Sequence, residues 1–150
     1  MVNGIDSARV NGPGDDAGQT RILIVDDEAM IRALLTEILS QEGYDVIAAE
    51  DGEVAVSILE GGGIDLIITD MLMPRGSGIE VLRAARRYDP RIPVIIMTGY
   101  PSIEDAAVLA TLDVNEYVSK PFDLDAIRKL VGTHLGEHRG HRGHGDAEPA

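Results

Sequence analysis

Ile64-Asp65-Leu66-Ile67-Ile68-Thr69-Asp70-Met71-Leu72-Met73-Pro74 is the stretch that decides how the rest of the chain reads. Gly61-Gly62-Gly63 precedes it and Pro74 closes it, so the apolar run has the length and punctuation of a strand buried on both faces. It ends on a carboxylate, Asp70. A charge at the mouth of a buried strand is costly to desolvate unless a cation meets it, and the search for that cation leads outward in both directions.

Upstream, Ile22-Leu23-Ile24-Val25 is a second aliphatic run, and it stops on Asp26-Asp27-Glu28. Ile31, Leu34, Leu35, Ile38 and Leu39 then recur at helical spacing, and Gly43 suits a left-handed terminus. Asp45 to Ala49 reads as a short strand. Asp51 is placed to cap a helix with Val54, Ala55, Ile58 and Leu59 on its apolar stripe. Downstream, Ser77 and Glu80 form a capping box for a helix with Ile79, Leu82 and Ala85 inward. Val94-Ile95-Ile96-Met97 ends on Thr98-Gly99, and Ser102 with Asp105 caps a further helix to about Leu112. Asn115 to Ser119 is a last strand ending on Lys120-Pro121. Asp123 caps a final helix with Leu124, Ile127, Leu130, Val131 and Leu135.

Five strands thus alternate with five helices, and mostly unbroken apolar strands call for a parallel sheet covered on both faces, an α/β fold. In such sheets the functional crevice lies at the carboxyl ends of the strands. Asp26, Asp27, Asp70, Thr98 and Lys120 all fall at those ends and predict one site. Three carboxylates at about 4 Å repel by on the order of 4 kcal/mol per pair at an effective dielectric near 20, so a hard divalent ion such as Mg²⁺ is the natural occupant. With the ion present, Asp70 can attack phosphorus to give an acyl phosphate, with Lys120 and Thr98 donating to the phosphoryl oxygens.

The remainder of the chain sets bounds. Its 150 residues carry a net charge of −13, which argues against a nucleic-acid footprint and for metal or protein partners. The chain has no cysteine, no apolar stretch of the roughly 18 residues a membrane span needs, and no signal-peptide core, which together place it in the cytoplasm. Residues 1–20 read as a disordered lead-in, 21–135 as the folded domain and 136–150 as a disordered His/Arg/Gly-rich tail in which the spaced imidazoles have no fold to set ligand geometry. His134 reads as a surface residue near a helix end. No output domain is expected after Leu135.

Leu23 to Asp27, Asp70-Met71-Leu72-Met73-Pro74 with Gly78 eight residues past the aspartate, Thr98-Gly99, and Tyr117-Val118-Ser119-Lys120-Pro121-Phe122 together resemble the receiver domain of two-component response regulators, over about Arg21 to Leu135. The resemblance implies a flavodoxin-like sheet of order 2-1-3-4-5. It implies that Asp70 accepts phosphate from a phosphohistidine on a histidine kinase or phosphotransfer protein. Asp27, Asp70 and the backbone carbonyl of Leu72 would hold Mg²⁺, with Asp26 acting through water. Lys120 would neutralise the phosphoryl group ahead of a cis Lys120-Pro121 peptide, and Thr98 with Tyr117 would form the switch pair. The chain would be a stand-alone single-domain regulator, acting by a protein-binding surface or as a relay, with self-phosphotransfer and slow autodephosphorylation as its only chemistry.

Where family members often carry polar residues that influence water, this chain has Leu72 and Tyr100, which predicts a long-lived phosphoaspartate. Asp113-Val114 replaces the family's usual Gly-Ala, and an aspartate tolerates a left-handed backbone there. The Ala-rich fourth helix, with the last strand and last helix, where Arg128 and Lys129 add charge, is the expected docking or self-association surface. The alternatives are a phosphoaspartate-forming phosphohydrolase of haloacid-dehalogenase type, which would want an aspartate where Leu72 stands, a nucleotide-binding domain, whose glycine-rich cradle is replaced by acid, and a phosphorylation-independent binding module.

Overall fold

The structure is a computed structural model that describes residues 19–99 and 103–144, with side chains described except at 103–105 and from 137 onward. Strands β1 (Arg21–Val25), β2 (Asp45–Ala49), β3 (Leu66–Asp70), β4 (Val94–Thr98) and β5 (Glu116–Ser119) alternate with helices α1 (Ala29–Gln41), α2 (Gly52–Glu60), α3 (Gly78–Tyr88), α4 (Ile103–Thr111) and α5 (Leu124–His144). All strand pairs are parallel, in the order β2-β1-β3-β4-β5. The expected flavodoxin-like order is therefore observed.

Period-2 alternation divides the sheet into two cores. Leu23, Val25, Ile67, Val94 and Ile96 pack with Ala55 and Leu59 of α2, Val81, Leu82 and Ala85 of α3, and Leu109 of α4. On the opposite face Ile22, Ile24, Leu66, Ile68, Ile95 and Met97 meet Leu35 and Leu39 of α1 and Ile127, Val131 and Leu135 of α5. Every residue of β3 and β4 is buried, as their unbroken apolar runs require.

Local chemistry sets the boundaries. Asp51 accepts from the Val54 N–H at 2.9 Å, Ser77 from the Glu80 N–H at 3.4 Å and Asp123 Oδ1 from the Asp125 N–H at 3.2 Å, three of the expected caps. Gly43 (φ 97°) and Asp113 (φ 58°) take the left-handed conformations foreseen for them. Arg86 is one of two cations, with Arg87, in the last turn of α3, and it does more than favour that helix end. It donates to the carbonyls of Leu112 (2.9 Å), Ile92 (2.7 Å) and Asp113 (2.8 Å) and to Asn115 Oδ1 (3.1 Å), joining the α3–β4 and α4–β5 connections. Burial pushes its guanidinium pKa down, with Asp113 and Asp89 opposing that shift.

Several expectations need correction. The last helix continues through Gly136 to His144, because adding residues to an established helix costs far less than starting one. His134 therefore lies inside the helix, its side chain 12% exposed with Nε2 3.7 Å from Glu116 Oε2, and is not a surface residue at its end. Thr20, assigned to the lead-in, is buried, and its carbonyl accepts from the Asp45 N–H at 2.8 Å. Residues 1–18 of that lead-in, residues 145–150 of the C-terminal tail, and Tyr100 and Ser102 lie outside the described residues. Leu34 and Val54 are exposed, since α1 and α2 flank the β2 edge and bury a narrower stripe than their apolar periodicity suggests. Among the described residues, no helix is long and apolar enough to cross a membrane.

Candidate functional site

β1 and β3 are neighbours, so the residues that leave their carboxyl ends emerge side by side. Asp26, Asp27 and Asp70 each offer an oxygen within 4.8 Å of the others. Their surroundings differ. Asp26 is fully buried, Asp70 is 8% exposed, and Asp27 faces solvent.

Lys120 arrives from the end of β5, its backbone N–H donating to the Thr98 carbonyl at 3.0 Å. Its Nζ lies 3.0 Å from Asp26 Oδ2 and 3.4 Å from Asp70 Oδ1, bridging the two buried acids. The Lys120-Pro121 peptide is cis. Asp26 Oδ1 accepts from the Glu28 N–H at 2.8 Å and Asp70 Oδ1 from the Met71 N–H at 2.9 Å. Burial and then repulsion from Asp26 raise the Asp70 pKa, with Lys120 and the Met71 amide pulling the other way. For Lys120, burial works to lower the pKa, but the hydrogen bond and charge of Asp26, then Asp70, outweigh it and the net shift is upward.

An acidic pair before a helix ordinarily serves only to cap it. Glu28, the N-cap of α1, makes no side-chain capping bond, and Asp26 is turned to Lys120 as well as to the Glu28 amide. Simple capping by the acidic pair does not describe it. The donor set is three hard oxygen groups with one ammonium among them, which leaves net negative charge and suits a small divalent cation such as Mg²⁺ better than a nitrogen- or sulfur-seeking metal.

Thr98 is buried at the end of β4. Tyr117 pairs in register with Ile96, so strand alternation puts Tyr117 and Thr98 on one sheet face, the face that α4 covers, and Tyr117 is 38% exposed. Leu72 projects into solvent, 70% exposed. Among the described residues, the four groups that share ion pairs or oxygens are Asp26, Asp27, Asp70 and Lys120; Thr98 joins them through the Lys120 backbone.

Two glycines pack more tightly than sequence reasoning indicates, although one of them, Gly78, belongs to the motif. A Cβ on Gly78 would stand 2.6 Å from the Asp70 carbonyl oxygen, so this glycine admits the start of α3 against the backbone of Asp70 itself. One on Gly52 would collide with the Gly76 carbonyl, where the β3–α3 loop lies on the start of α2 and the Arg75 carbonyl accepts from the Gly52 N–H at 2.8 Å. Glycine count alone does not single either out; only the Gly78 spacing from Asp70 was a signal.

Residues 22–132 match the family described as response regulator receiver domain. The chain is 39% identical over 115 residues to sporulation initiation phosphotransferase F of Bacillus subtilis, covering 77% of this chain and 93% of that protein. Its structure is similar to a CheY-like receiver domain protein from Methanospirillum hungatei, with TM-score 0.79 and 28% identity over 83% of this chain and 99% of the other. It is also similar to the response regulator TrrA of Thermotoga maritima, solved in complex with Mg²⁺ and BeF, with TM-score 0.68 and 38% identity over 77% and 99% of the two chains. Against several other relatives it spans only 24% to 47% of their length.

Proposed function

Because this chain belongs to the response regulator receiver domain family, in which a phosphoryl group is accepted, we propose that Asp70 is the acceptor and that it takes the group from a phosphohistidine on a kinase or phosphotransfer protein. The observation that carries this reading is the convergence of three carboxylates within 4.8 Å around a bridging lysine, with Asp70 at the end of the central strand.

Asp27 and Asp70 are the side chains that would hold Mg²⁺, joined by the Leu72 carbonyl, with Asp26 acting on it through a water. The ion supplies charge compensation between an anionic carboxylate and an anionic phosphoryl group. An Asp70 oxygen forms the new O–P bond as the P–N bond to histidine breaks, and the leaving imidazole keeps the electron pair and holds a proton. Lys120, which is tied to Asp26 and Asp70, donates its ammonium to a phosphoryl oxygen. Thr98 offers its hydroxyl to another, and Tyr117, half out of the surface on the same face, turns inward as the threonine moves.

An exposed apolar Leu72 cannot orient water on the acyl phosphate, which supports slow autodephosphorylation. It also leaves a haloacid-dehalogenase mechanism without its second acid. The exposed Ala106, Ala107 and Ala110 on α4, with β5 and α5, are the face read out by a protein target or a second copy, in a cytoplasmic setting.

Beryllofluoride with Mg²⁺ tests the reading. Amide resonances near Asp70, Thr98 and Tyr117 are expected to shift together in wild type and not in Asp70→Asn. Shifts that persist in Asp70→Asn, or none in folded wild type, contradict it.

A further inference from the structure

Arg32 is not among the acids and cations of the site, yet it is bonded to the turn that carries two of them. Glu28 opens α1 without a side-chain cap, so something else must hold the entry. Three bonds do. The Asp26 N–H donates to the Ala49 carbonyl at 3.2 Å, the Glu28 N–H donates to Asp26 Oδ1 at 2.8 Å, and Arg32 Nη1 donates to the Asp26 carbonyl at 2.8 Å. β1 ends at Val25, so the Asp26 carbonyl lies past the strand, and the guanidinium satisfies it. The Arg32 backbone N–H donates to the Glu28 carbonyl at 3.1 Å, so the residue that reaches back to Asp26 is anchored in the first turn of α1. With amide, carbonyl and carboxylate of Asp26 all bonded, the peptide between Asp26 and Asp27 has one orientation. From it Asp26 turns inward to Lys120 and Asp27 outward to solvent.

We infer that Arg32 is a positioning residue that holds the Asp26–Asp27 turn in its cation-binding arrangement. The inference rests on the receiver reading above. Its two conceivable contributions have opposite signs. A guanidinium acting only as a positive charge weakens Mg²⁺ binding, so its removal tightens the site; a guanidinium that orders the ligands strengthens binding, so its removal loosens the site. Hydrogen-bond partners behind metal ligands typically change affinity by about 10- to 100-fold when removed.

The experiment is a Mg²⁺ titration of the full chain followed by amide chemical shifts, in wild type, Arg32→Ala and Arg32→Lys, with amide exchange of Glu28 measured without metal. Arg32→Ala is expected to lose about 10-fold or more in Mg²⁺ affinity and to exchange the Glu28 amide faster, while β4 amides keep their protection. Arg32→Lys, which keeps a donor, stays near wild type. Arg32→Met, which keeps the stem without the donor, replaces the alanine variant if that one does not fold. Unchanged or tighter Mg²⁺ binding in Arg32→Ala overturns the inference, as does an equal loss in Arg32→Lys. A wild-type protein with no saturable Mg²⁺ response dependent on Asp70 contradicts the receiver reading instead, and Glu28 exchange then still decides whether Arg32 holds the turn.

Discussion

Replacing Gly78 by alanine places a methyl group 2.6 Å from the Asp70 carbonyl oxygen, 3.0 Å from Met71 Cα and 3.3 Å from the Asp70 carbonyl carbon. All three atoms are backbone, so no side chain can rotate away. Restoring an ordinary contact of 3.4 Å requires the carbonyl and the helix start to separate by about 0.8 Å. The Gly78 N–H bond to the Met71 carbonyl at 2.9 Å resists that separation. Overpacking of this kind costs about 1–3 kcal/mol. Gly132→Ala is the control, because a Cβ there meets nothing within 4 Å and the residue lies inside α5. Alanine at such a helix position stabilises by roughly 0.5–1 kcal/mol. Urea unfolding without metal measures both. With a slope of about 2 kcal/mol/M, Gly78→Ala lowers the midpoint by about 0.5–1.5 M and Gly132→Ala raises it by about 0.3–0.5 M. The displaced carbonyl is that of Asp70, one of the three clustered acids, so Gly78→Ala is also expected to weaken Mg²⁺ binding. A Gly78→Ala protein as stable as wild type, with the same Mg²⁺ affinity, refutes the packing argument.

Three further outcomes follow from the same geometry. The raised Asp70 pKa means the folded state binds its proton more tightly than the unfolded chain. Metal-free wild type therefore loses stability relative to Asp70→Asn as pH rises from the ordinary carboxylate range through the folded pKa, and Mg²⁺ shrinks the difference; parallel pH profiles of unfolding free energy would contradict this. Arg86→Ala strands carbonyls of two connections and costs about 2–4 kcal/mol in urea unfolding, with Arg86→Lys recovering only part; a loss under 1 kcal/mol would count against the clamp. Leu72→Asn shortens the lifetime of the phosphorylated protein, read by decay of intact mass, and equal lifetimes would remove Leu72 from the account.

How much was legible in sequence depended on whether a residue's role is set by its own neighbours in the chain. β3 and β4 read as strands because burial on both faces leaves an unbroken apolar run, and Asp26, Asp27, Asp70, Thr98 and Lys120 read as one site because parallel strands bring their ends together. Asp51, Ser77 and Asp113 were legible as caps and a turn, since their chemistry is local. Leu34 and Val54 misread as core because periodicity gives the width of an apolar stripe but not how much of it a sheet edge covers. Residues 136–144 read as tail because their composition is His/Arg/Gly-rich, yet α5 continues through them to His144. Arg32 and Arg86 gave no signal, for both bond backbone carbonyls whose positions only the tertiary fold determines.

The most direct test is the intact mass of the protein after incubation with acetyl phosphate, with and without Mg²⁺, for wild type and Asp70→Asn side by side, followed by a phosphohistidine donor. The account predicts one added phosphoryl group in wild type that requires Mg²⁺ and is absent in the variant. A folded wild type that gains nothing from either donor, or an Asp70→Asn protein that is labelled equally, would contradict it.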